Sequence, residues 1–434
     1  MKVIGPVTRR SFLLKSAAAF AGVQILPSRI ALAGPGAPSN TLNHAIIGCG
    51  GIAQDSHFNA HVARDGHRVV ALCDVDAKHL ANYMNQAKGR GKPCDGYRDF
   101  REVLARGDVD IVHVCTPPHW HGVISAMAAQ AGCDVWCEKP MTRTIGEGRK
   151  VVQAIQRYGR MFRVNTWFRL GNNNYYGFGK SKDIRKACSS GLLGWPLTVR
   201  ATESAGINWK ARMWLGRTDL KPQPIPAEMD WDMYVGPSPM KPYHLHRTHG
   251  HFRGYWDYDG GGLADMGQHY LDPIQYFLGK DDTSPVEISA RSQCPAHPEA
   301  VQMWDSVEMT YADGCRIIFE SENVKSDREM PFIEGPKGRL YKNFRFDPPE
   351  LAEAVAALPD PPAQMDDFIQ SVKTRRKFGL NEESSNRSCH LVNLANIAIR
   401  LGRKLRFDPV TEHFVNDDEA NRLVDQPLRA PWQF

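Results

Sequence analysis

Short apolar segments alternate with segments of helical periodicity between residues 44 and 165. Apolar runs rich in Val and Ile, typical of buried strands, occur at 44–47, 68–73, 111–115, 135–137 and 161–164. Between them, apolar residues recur every three or four positions at 51–62, 77–87, 100–105, 121–130 and 147–156. This alternation predicts an α/β domain at 44–165 with a doubly wound, parallel sheet of the Rossmann type.

The pattern changes after residue 165. The chain becomes rich in Trp, Tyr and Pro, and apolar runs at 197–201, 286–290, 307–311 and 315–320 predict mostly antiparallel strands. A helix at 388–401 is predicted from an apolar stripe, formed by Leu391, Leu394, Ala395, Ala398 and Leu401. We therefore expect residues 166–434 to form a C-terminal α+β domain with a large, mostly antiparallel open sheet.

The first 33 residues have the features of a leader. Thr8-Arg9-Arg10-Ser11-Phe12 is a twin-arginine pattern, an apolar stretch follows at 17–21, and Ala31-Leu32-Ala33 is suited to cleavage. We expect a twin-arginine signal peptide at 1–33, a linker at 34–43 and a periplasmic protein. The alternative is an amphipathic or membrane-anchoring N-terminus, but the apolar stretch is too short to span a bilayer.

Charge and cysteine content narrow the class of protein. The chain has a formal net charge of +6, and five of its positive residues lie in the leader. Residues 34–434 therefore carry a net charge of +1, and they contain no basic run. No nucleic-acid partner is expected. Cysteines such as Cys49 and Cys73 fall on predicted strands or their ends, which favours buried, unreactive thiols over disulfides.

A Gly-rich turn, Gly48-Cys49-Gly50-Gly51-Ile52-Ala53, joins the first predicted strand to a helix. Its glycines permit a tight turn and a close approach of backbone to a pyrophosphate, which the helix N-terminus also attracts. Asp74 ends the second strand, where a carboxylate accepts hydrogen bonds from ribose hydroxyls and repels a 2′-phosphate. The motif predicts NAD rather than NADP, bound by Gly48, Gly50, Gly51, Ile52 and Asp74. Alternatively, Asp74 is a solvated loop acid.

Two further motifs follow predicted strands. The third strand ends in Thr116-Pro117-Pro118-His119-Trp120-His121, and the next ends in Glu138-Lys139-Pro140. Ligands bind at the carboxyl ends of strands in this architecture. The predicted cofactor-binding set therefore also contains Thr116, Pro117, His121, Glu138 and Lys139.

Together with a distant Gly260-Gly261-Gly262-Leu263-Ala264-Asp265-Met266-Gly267-Gln268-His269 segment, these motifs resemble the Gfo/Idh/MocA family, which includes glucose-fructose oxidoreductase and inositol dehydrogenase. The resemblance extends over essentially the whole chain after the leader. It implies that Lys139 lies beside the nicotinamide and bonds the reacting hydroxyl, with Asp265 and His269 as the substrate-domain catalytic pair. It also implies that Asn165 and Arg169 line the pocket, as cofactor and substrate contacts, and that the chain forms dimers or tetramers.

Elementary chemistry agrees with these roles. Asp265 and His269 are four residues apart, so on a helix the carboxylate can orient the imidazole, which can accept a hydroxyl proton near neutral pH. The preceding glycines permit a sharp strand-to-helix connection. Alternatives remain open: Lys139 orients the cofactor without transferring a proton, Asp265 and His269 are a capping acid and a core histidine, and Asn165 and Arg169 are ordinary surface residues.

A histidine cluster occurs at His244, His246, His249 and His251. Its alternation is compatible with one face of a strand, but no carboxylate or cysteine joins it at a metal-site spacing, so no metal is expected. Aromatic residues surround the cluster, among them Trp256, and their faces are suited to stacking on a sugar ring. This segment is expected to form the substrate side of the cleft, or alternatively to pack at a subunit interface.

These features predict an NAD-dependent oxidoreductase acting on a secondary hydroxyl of a sugar, glycoside or cyclitol. Because a periplasm offers no obvious pool of NAD, the cofactor is expected to stay bound and to be reoxidised in place. The alternative is a redox-neutral, NAD-dependent glycoside hydrolase, which needs a further acid that the sequence does not identify. A sugar-binding protein or a structural subunit would have no reason to keep Lys139, Asp265 and His269 together.

Overall fold

The computed structural model describes residues 41–170, 174–325, 327 and 329–434. The predicted leader at 1–33 and residues 34–40 of the predicted linker at 34–43 lie outside the described residues. Within the described ranges, no helix combines the length and apolar character needed to cross a bilayer.

The first sheet has six parallel strands in the order β3-β2-β1-β4-β5-β6. They are β1 (Leu42–Ile47), β2 (His67–Cys73), β3 (Asp95–Tyr97), β4 (Ile111–Val114), β5 (Asp134–Glu138) and β6 (Phe162–Asn165). The predicted parallel sheet is confirmed. The order reverses between β1 and β4, which is the position where open α/β sheets bind ligands. The edge strand β3 was not predicted because Asp-Gly-Tyr has no apolar run.

Helices cover both faces of this sheet. They are α1 (Gly51–Ala53), α2 (Ala60–Val62), α3 (Ala77–Gly89), α4 (Phe100–Leu104), α5 (His121–Gln130) and α6 (Ile145–Arg157). A π-helix at Gln54–Asn59 joins α1 to α2, so the segment from the Gly-rich turn is helical throughout. Side chains cap several N-termini, as where Asp76 accepts hydrogen bonds from the amides of Lys78 and His79.

The second sheet has nine strands in the order β13-β12-β11-β7-β10-β9-β8-β14-β15. They are β7 (Thr198–Ala201), β8 (Glu287–Ser292), β9 (Trp304–Thr310), β10 (Arg316–Glu320), β11 (Ile333–Gly335), β12 (Gly338–Tyr341), β13 (Arg345–Asp347), β14 (Leu405–Asp408) and β15 (His413–Phe414). All pairings are antiparallel except that of β7 with β10, so the predicted mostly antiparallel sheet is also confirmed.

The remaining helices pack mainly on the second sheet and against the first. They are α7 (Ser181–Ser189), α8 (Trp231–Val235), α9 (Gly261–Leu278), α10 (Leu351–Ala356), α11 (Phe368–Thr374), α12 (Glu382–Leu401) and α13 (Asp418–Asn421). Short 3₁₀ turns occur at Pro118–Trp120, Glu203–Ala205, Leu245–Arg247, His249–Gly254 and Lys342–Phe344. Helix α12 begins six residues before the start predicted for it, where Asn381 caps the amides of Glu383 and Ser384.

Helix α9 is buried along its whole length and packs against α12 and α7. Its start requires glycine twice: Gly261 has φ +70°, and a Cβ on Gly262 would lie 2.2 Å from the carbonyl oxygen of Trp209. The preceding segment is the 3₁₀ turn His249–Gly254 and a loop, so the expected strand-to-helix connection is wrong. The glycines allow close backbone packing instead.

All ten cysteines lie within the described residues, and none of them forms a disulfide bond. Cys49 is buried as predicted, and burial raises the pKa of its thiol well above the ordinary value, so it is unreactive.

Candidate active site

A cavity of about 500 Å³ lies where the carboxyl edge of the first sheet faces α9. The Gly-rich turn lines one part of it, and Lys139, Asp265 and His269 line another. The structure therefore brings together residues that are more than 200 positions apart in sequence. The cavity is of the size that small-molecule and cofactor sites have.

The Gly-rich turn leaves space for a ligand. Gly48 has φ +95°, and a Cβ there would lie 2.6 Å from the carbonyl carbon and oxygen of Cys115. In contrast, a Cβ on Gly50 or Gly51 would meet no atom within 4 Å. Ile52 also lines the cavity. Gly48 thus serves the fold, whereas the open space at Gly50 and Gly51 fits a pyrophosphate.

Asp74 is held in place by backbone amides. Its Oδ2 accepts a hydrogen bond from the amide of Cys49 at 2.6 Å, and its Oδ1 accepts one from the amide of Asp76 at 2.7 Å. Burial raises the pKa of its carboxyl despite these bonds. Asp74 lines the cavity, so the hypothesis of a solvated loop acid is wrong. It fixes the Gly-rich turn and also faces the ligand space.

The strand-end motifs contribute unequally to the lining. Thr116, Pro117, Glu138 and Lys139 line the cavity, and within the described ranges the buried Oγ1 of Thr116 has no hydrogen-bond partner. The residues therefore fit a bound dinucleotide. His121 does not line the cavity: its ring lies between the carbonyl oxygens of Thr116 and Pro140, at 2.8 Å and 2.7 Å. Its predicted cofactor contact is wrong, and it holds the two loops together.

Asn165 acts on the cavity through Glu138. Its Nδ2 donates a hydrogen bond to Oε1 of Glu138 at 2.6 Å, and Nε2 of His57 lies 2.8 Å from the same oxygen. Glu138 lines the cavity, but Asn165 does not. The expected direct contact of Asn165 with the cofactor is therefore replaced by a positioning role.

Lys139 and Asp265 form a nearly buried ion pair. The ammonium of Lys139 donates to Oδ1 of Asp265 at 2.8 Å and to its backbone oxygen at 2.5 Å. Arg253 Nε lies 2.9 Å from Oδ1, and the indole of Trp214 donates to Oδ2 at 2.9 Å. Burial alone would raise the pKa of Asp265, but Lys139 and Arg253 hold it well below the ordinary value. The carboxylate stays ionised and fixes the ammonium.

His269 is oriented by an aromatic ring rather than by Asp265. Its imidazole stacks on Trp167 with ring centroids 3.8 Å apart and planes 9° apart. Its Nδ1 is buried and has no hydrogen-bond partner among the described residues. The expected orientation of the imidazole by Asp265 is therefore wrong, since the carboxylate has Lys139, Arg253 and Trp214 as its partners. Burial, followed by the charge of Lys139, keeps the pKa of His269 well below 6.5, so the imidazole is neutral and able to accept a proton.

Gln268 connects the Lys139 loop to the helices behind it. Its Oε1 accepts a hydrogen bond from the amide of Met141 at 2.8 Å, and its Nε2 donates to Ser385 and Ser388 on α12. The position of Lys139 relative to α9 is thus fixed by a fully buried amide.

Asp259 is a cavity carboxyl that sequence reasoning missed. It is buried, lines the cavity, and has an Oδ1 without a partner within the described part of the chain. Burial raises its pKa to about 7, with Asp265 adding to the shift and Arg253 opposing it. The only available signal was its place directly before Gly260-Gly261-Gly262. A carboxyl that is half protonated near neutral pH can act as an acid or a base.

Asp259→Asn is expected to make the folding free energy less dependent on pH. The pKa of this carboxyl rises from about 3.8 in the unfolded chain to about 7 in the fold. Its protonated form therefore stabilises the fold, and this stabilisation is fully present at low pH. That contribution is lost as pH rises through about 7. Urea unfolding at about pH 5 and about pH 8 should show a smaller loss of unfolding free energy in the variant. Asp272 has a similarly raised pKa, but it is present in both the wild type and the variant and so affects both equally. The same pH dependence of the unfolding free energy in the two proteins would contradict the prediction.

Two predicted substrate contacts lie outside the cavity lining. Arg169 is buried in ion pairs with Asp272, at 3.1 Å, and with Asp281. The indole of Trp256 donates to the backbone oxygen of His297 at 3.1 Å within the core. Both predictions are wrong, and so is the surface alternative for Arg169. The tryptophans that line the cavity are Trp120, Trp167 and Trp214.

Arg169→Lys should therefore affect stability rather than substrate binding. Lysine keeps the positive charge, but it lacks the planar guanidinium with which Arg169 contacts both Asp272 and Asp281. The free energy of unfolding should fall by about 1.5–3 kcal/mol, the range for hydrogen bonds to charged groups. Denaturant unfolding and steady-state kinetics measure the two effects separately. A tenfold increase in KM with an unchanged free energy of unfolding would instead support the hypothesis that Arg169 contacts the substrate.

The histidine segment forms two 3₁₀ turns rather than a strand. Of its four histidines only His249 lines the cavity. His249 approaches Asp76 and His79, and the potential ligand atoms of these three lie within 4.8 Å of one another. Asp76 is already engaged as the cap of α3.

Comparison with known proteins identifies both halves of the chain. Residues 42–166 match the model of the Gfo/Idh/MocA oxidoreductase family described as its NAD-binding Rossmann fold. Residues 179–434 match the model described as the C-terminal alpha/beta domain of the same oxidoreductase family.

Characterised relatives share part of the chain. D-glucoside 3-dehydrogenase of Escherichia coli is 25% identical over 56% of this chain and 55% of its own length. D-apiose dehydrogenase of Paraburkholderia graminis is 35% identical over 29% of this chain and 32% of its own. Inositol 2-dehydrogenase of Gluconacetobacter diazotrophicus is 30% identical over 40% of this chain and 50% of its own length. The chain thus spans about half the length of these relatives, or less.

Solved structures share the fold over most of the chain. The WlbA dehydrogenase of Bordetella pertussis, in complex with NADH and UDP-GlcNAcA, has a TM-score of 0.57 at 19% identity and covers 85% of this chain and 99% of its own. Aldose-aldose oxidoreductase of Caulobacter crescentus, complexed with glycerol, has a TM-score of 0.53 at 18% identity. The match covers 85% of this chain and 100% of that protein's chain. The two family models span nearly all the described residues, and the chain belongs to the Gfo/Idh/MocA family of NAD-binding oxidoreductases.

Proposed function

We propose that this protein oxidises a secondary hydroxyl of a sugar, glycoside or cyclitol by hydride transfer to a tightly held NAD. The observation that carries the proposal is the meeting of Lys139 and neutral His269 in a cavity that begins at the Gly-rich turn. The names of the relatives support a polyhydroxylated substrate. Trp167 is 47% exposed, and it offers an aromatic stacking surface beside His269.

Each cavity residue has a distinct task in this proposal. When bound, NAD accepts a hydride from the carbon that bears the reacting hydroxyl. Lys139, fixed by Asp265, donates a hydrogen bond to the hydroxyl oxygen and orients it. His269 is neutral and stacked in place, so it accepts the hydroxyl proton. Met266 and Trp214 line this end of the cavity.

Asp259 supports a second candidate, a redox-neutral glycoside hydrolase. Such an enzyme needs an acid to protonate the departing oxygen after transient oxidation, and the sequence showed no such group. Asp259 lines the cavity with a pKa raised to about 7, so part of the population carries a proton at neutral pH. Asp259→Asn would abolish glycoside cleavage while leaving hydroxyl oxidation, whereas in a simple oxidoreductase it would change neither the product nor the cofactor content.

The test is purification without added nucleotide, followed by absorbance near 340 nm while sugars, cyclitols and glycosides are offered one at a time. A rise in absorbance without added NAD identifies an oxidisable substrate and a retained cofactor. Cleavage of a glycoside without any net change in absorbance identifies the hydrolase. A purified protein that neither holds nor binds a dinucleotide would refute both candidates.

We also propose that the protein is exported in its folded form to the periplasm. The twin-arginine pattern and a cofactor that must be acquired before export support this location. Replacing Arg9 and Arg10 with lysine should retain the chain in the cytoplasm with an uncleaved leader. Fractionation and the mass of the mature N-terminus measure this, and a variant that is still exported and processed would contradict the proposed route. A variant of Lys2 in the same leader serves as the matched control.

A further inference from the structure

Five histidines are packed beneath the Gly-rich turn, in positions where a core normally holds apolar residues. They lie between strands β1, β2 and β4 and the helical segment at 51–62, and they are His44, His57, His61, His67 and His113. His44, His57 and His113 are fully buried. Because burying unpaired polar groups is costly, such a group needs internal partners.

Four of the five form a continuous hydrogen-bonded chain, which we call the imidazole relay. Nδ1 of His67 lies 2.8 Å from Nε2 of His44, and Nδ1 of His44 lies 2.8 Å from Nε2 of His113. Nδ1 of His113 lies 2.8 Å from Nδ1 of His57, whose Nε2 lies 2.8 Å from Oε1 of Glu138. The relay uses both nitrogens of each of its three inner members.

Only one set of tautomers satisfies this chain when Glu138 is ionised. The carboxylate can only accept, so His57 must carry its proton on Nε2 and accept on Nδ1. It follows that His113, His44 and His67 all carry their protons on Nδ1. When Glu138 is protonated on Oε1, the same reasoning gives the opposite tautomer at all four positions. Burial, followed by neighbouring histidines, lowers the pKa of His44 and of His113, which keeps these imidazoles neutral.

The two ends of the relay have different surroundings. His67 is partly exposed, and its charged neighbours are Arg64, Lys373 and Asp367. At the other end, Glu138 lines the cavity directly before Lys139. Arg163, whose guanidinium lies 4.0 Å from the ring centroid of Trp136, is a charged side chain that acts on His113. The relay thus connects the ligand cavity with the outside through the back of the sheet.

The same cluster is a poor metal site. The nitrogens of His44, His61 and His113 come within 4.8 Å of one another, but His44 and His113 use both of theirs in the relay. The ring of His61 stacks on that of His44 at 4.4 Å with planes 13° apart. Two nearly parallel rings cannot both point their in-plane lone pairs at one ion about 2 Å away.

We propose that the imidazole relay lets Glu138 take up and release a proton from bulk water, so that its charge follows that of the bound nicotinamide. The proposal rests on the proposed function. Burial raises the pKa of Glu138, but His57, Lys139 and Asn165 hold it below its ordinary value. A cationic nicotinamide held near Glu138 would add to this lowering, and its loss of charge on accepting a hydride would therefore favour protonation.

The proton balance of this exchange is closed. A proton from water binds Nε2 of His67, each relay hydrogen bond passes its proton one position inward, and Nε2–H of His57 passes its proton to Oε1 of Glu138. Each imidazole ends as the opposite tautomer, and no electrons move within the relay. Because reoxidation of the cofactor reverses the shift, no buried ring has to turn between cycles.

The test compares protein loaded with NAD⁺ and protein loaded with NADH, so it requires no substrate. At about pH 6, binding of NADH should take up about one proton more per chain than binding of NAD⁺, measured with a pH indicator. Nitrogen-15 spectra of the histidines should show all four tautomers reversed between the two complexes. Glu138→Gln should abolish both effects. Equal proton uptake with unchanged tautomers in the wild type would overturn the relay.

Variants within the cluster separate conduction from packing. His67→Gln and His113→Leu should slow proton uptake after mixing with NADH by about tenfold or more, whereas His61→Leu should not. His61 is the matched control because it is buried in the same layer but makes no hydrogen bond with a described residue. His67 is partly exposed, so its variant remains informative if His113→Leu does not fold. Unchanged rates in both relay variants, or a bound transition metal lost on His61→Leu, would also overturn the proposal.

Failure of the proposed function would look different. If NADH binding reverses the tautomers but no sugar, cyclitol or glycoside reduces bound NAD⁺, the relay stands and the substrate assignment is wrong. If a substrate reduces the cofactor without reversing the tautomers, the function stands and the relay is wrong.

Discussion

Lys139→Met is expected to lower kcat for hydroxyl oxidation by about 10³–10⁴-fold, near the upper end of the range for loss of an acid-base or orienting group. Methionine keeps much of the side-chain length but cannot donate to the hydroxyl oxygen. Asp265 retains Arg253 and the indole of Trp214, so the buried carboxylate is not left without partners. The variant should fold and retain its dinucleotide. Single-turnover reduction of bound NAD, read near 340 nm, is the measurement.

The control for this prediction is Lys150→Met. Lys150 lies on α6 in the same half of the chain and forms an ion pair with Asp425 that is partly exposed to water. Its loss should change kcat by less than about twofold, because exposed pairs contribute little. If Lys139→Met retains more than a tenth of wild-type kcat, the role of Lys139 reduces to orienting the cofactor. The remaining proton transfer would then depend on His269 alone.

Gly48→Ala should destabilise the fold strongly, with loss of bound dinucleotide as a consequence. Residue 48 has φ +95°, and an added Cβ would lie 2.6 Å from the carbonyl of Cys115. Backbone strain and overpacking each cost about 1–3 kcal/mol, so the free energy of unfolding should fall by about 2–6 kcal/mol. Thermal and urea unfolding of the nucleotide-free protein measure the change directly.

Gly50→Ala provides the contrasting variant two residues away. Its backbone is extended, with φ −84°, and a Cβ there meets no atom within 4 Å. Unfolding of the nucleotide-free protein should change by less than about 1 kcal/mol. The dissociation constant for NAD should nevertheless rise by about 10–100-fold, which corresponds to about 1.4–2.7 kcal/mol. Equal stability of the two variants would show that Gly48 has no special role in the turn.

The sequence predicted the elements that depend on local pattern. Buried parallel strands such as β1 and β4 are short apolar runs bounded by turns, and the Gly-rich turn has a fixed relation to the strand before it. The edge strand β3 and the hairpin strands β11 and β12 were missed because they are short and lack an apolar run of their own. Pairing with a neighbour, rather than their own composition, makes them strands.

Residue types at the site were easier to predict than their contacts. Lys139, Asp265 and His269 line one cavity, as the resemblance implied, but helical spacing alone wrongly paired Asp265 with His269. Spacing states that two side chains share a face, and it does not exclude a stronger competitor from elsewhere. That competitor is Lys139, 126 residues away in sequence. Arg169 and Trp256 were misplaced for the same reason, since a buried ion pair and core packing depend on the tertiary fold.

The complete burial of α9 has a consequence for protein engineering. All 18 of its residues are buried, so mutating this helix risks the fold, although Met266 on it lines the cavity. The segments that carry Trp167, Lys210 and His249 are loops or 3₁₀ turns that reach the same cavity from outside the sheets. Libraries restricted to those segments would vary the substrate pocket while leaving Lys139, Asp265 and His269 on an unchanged scaffold.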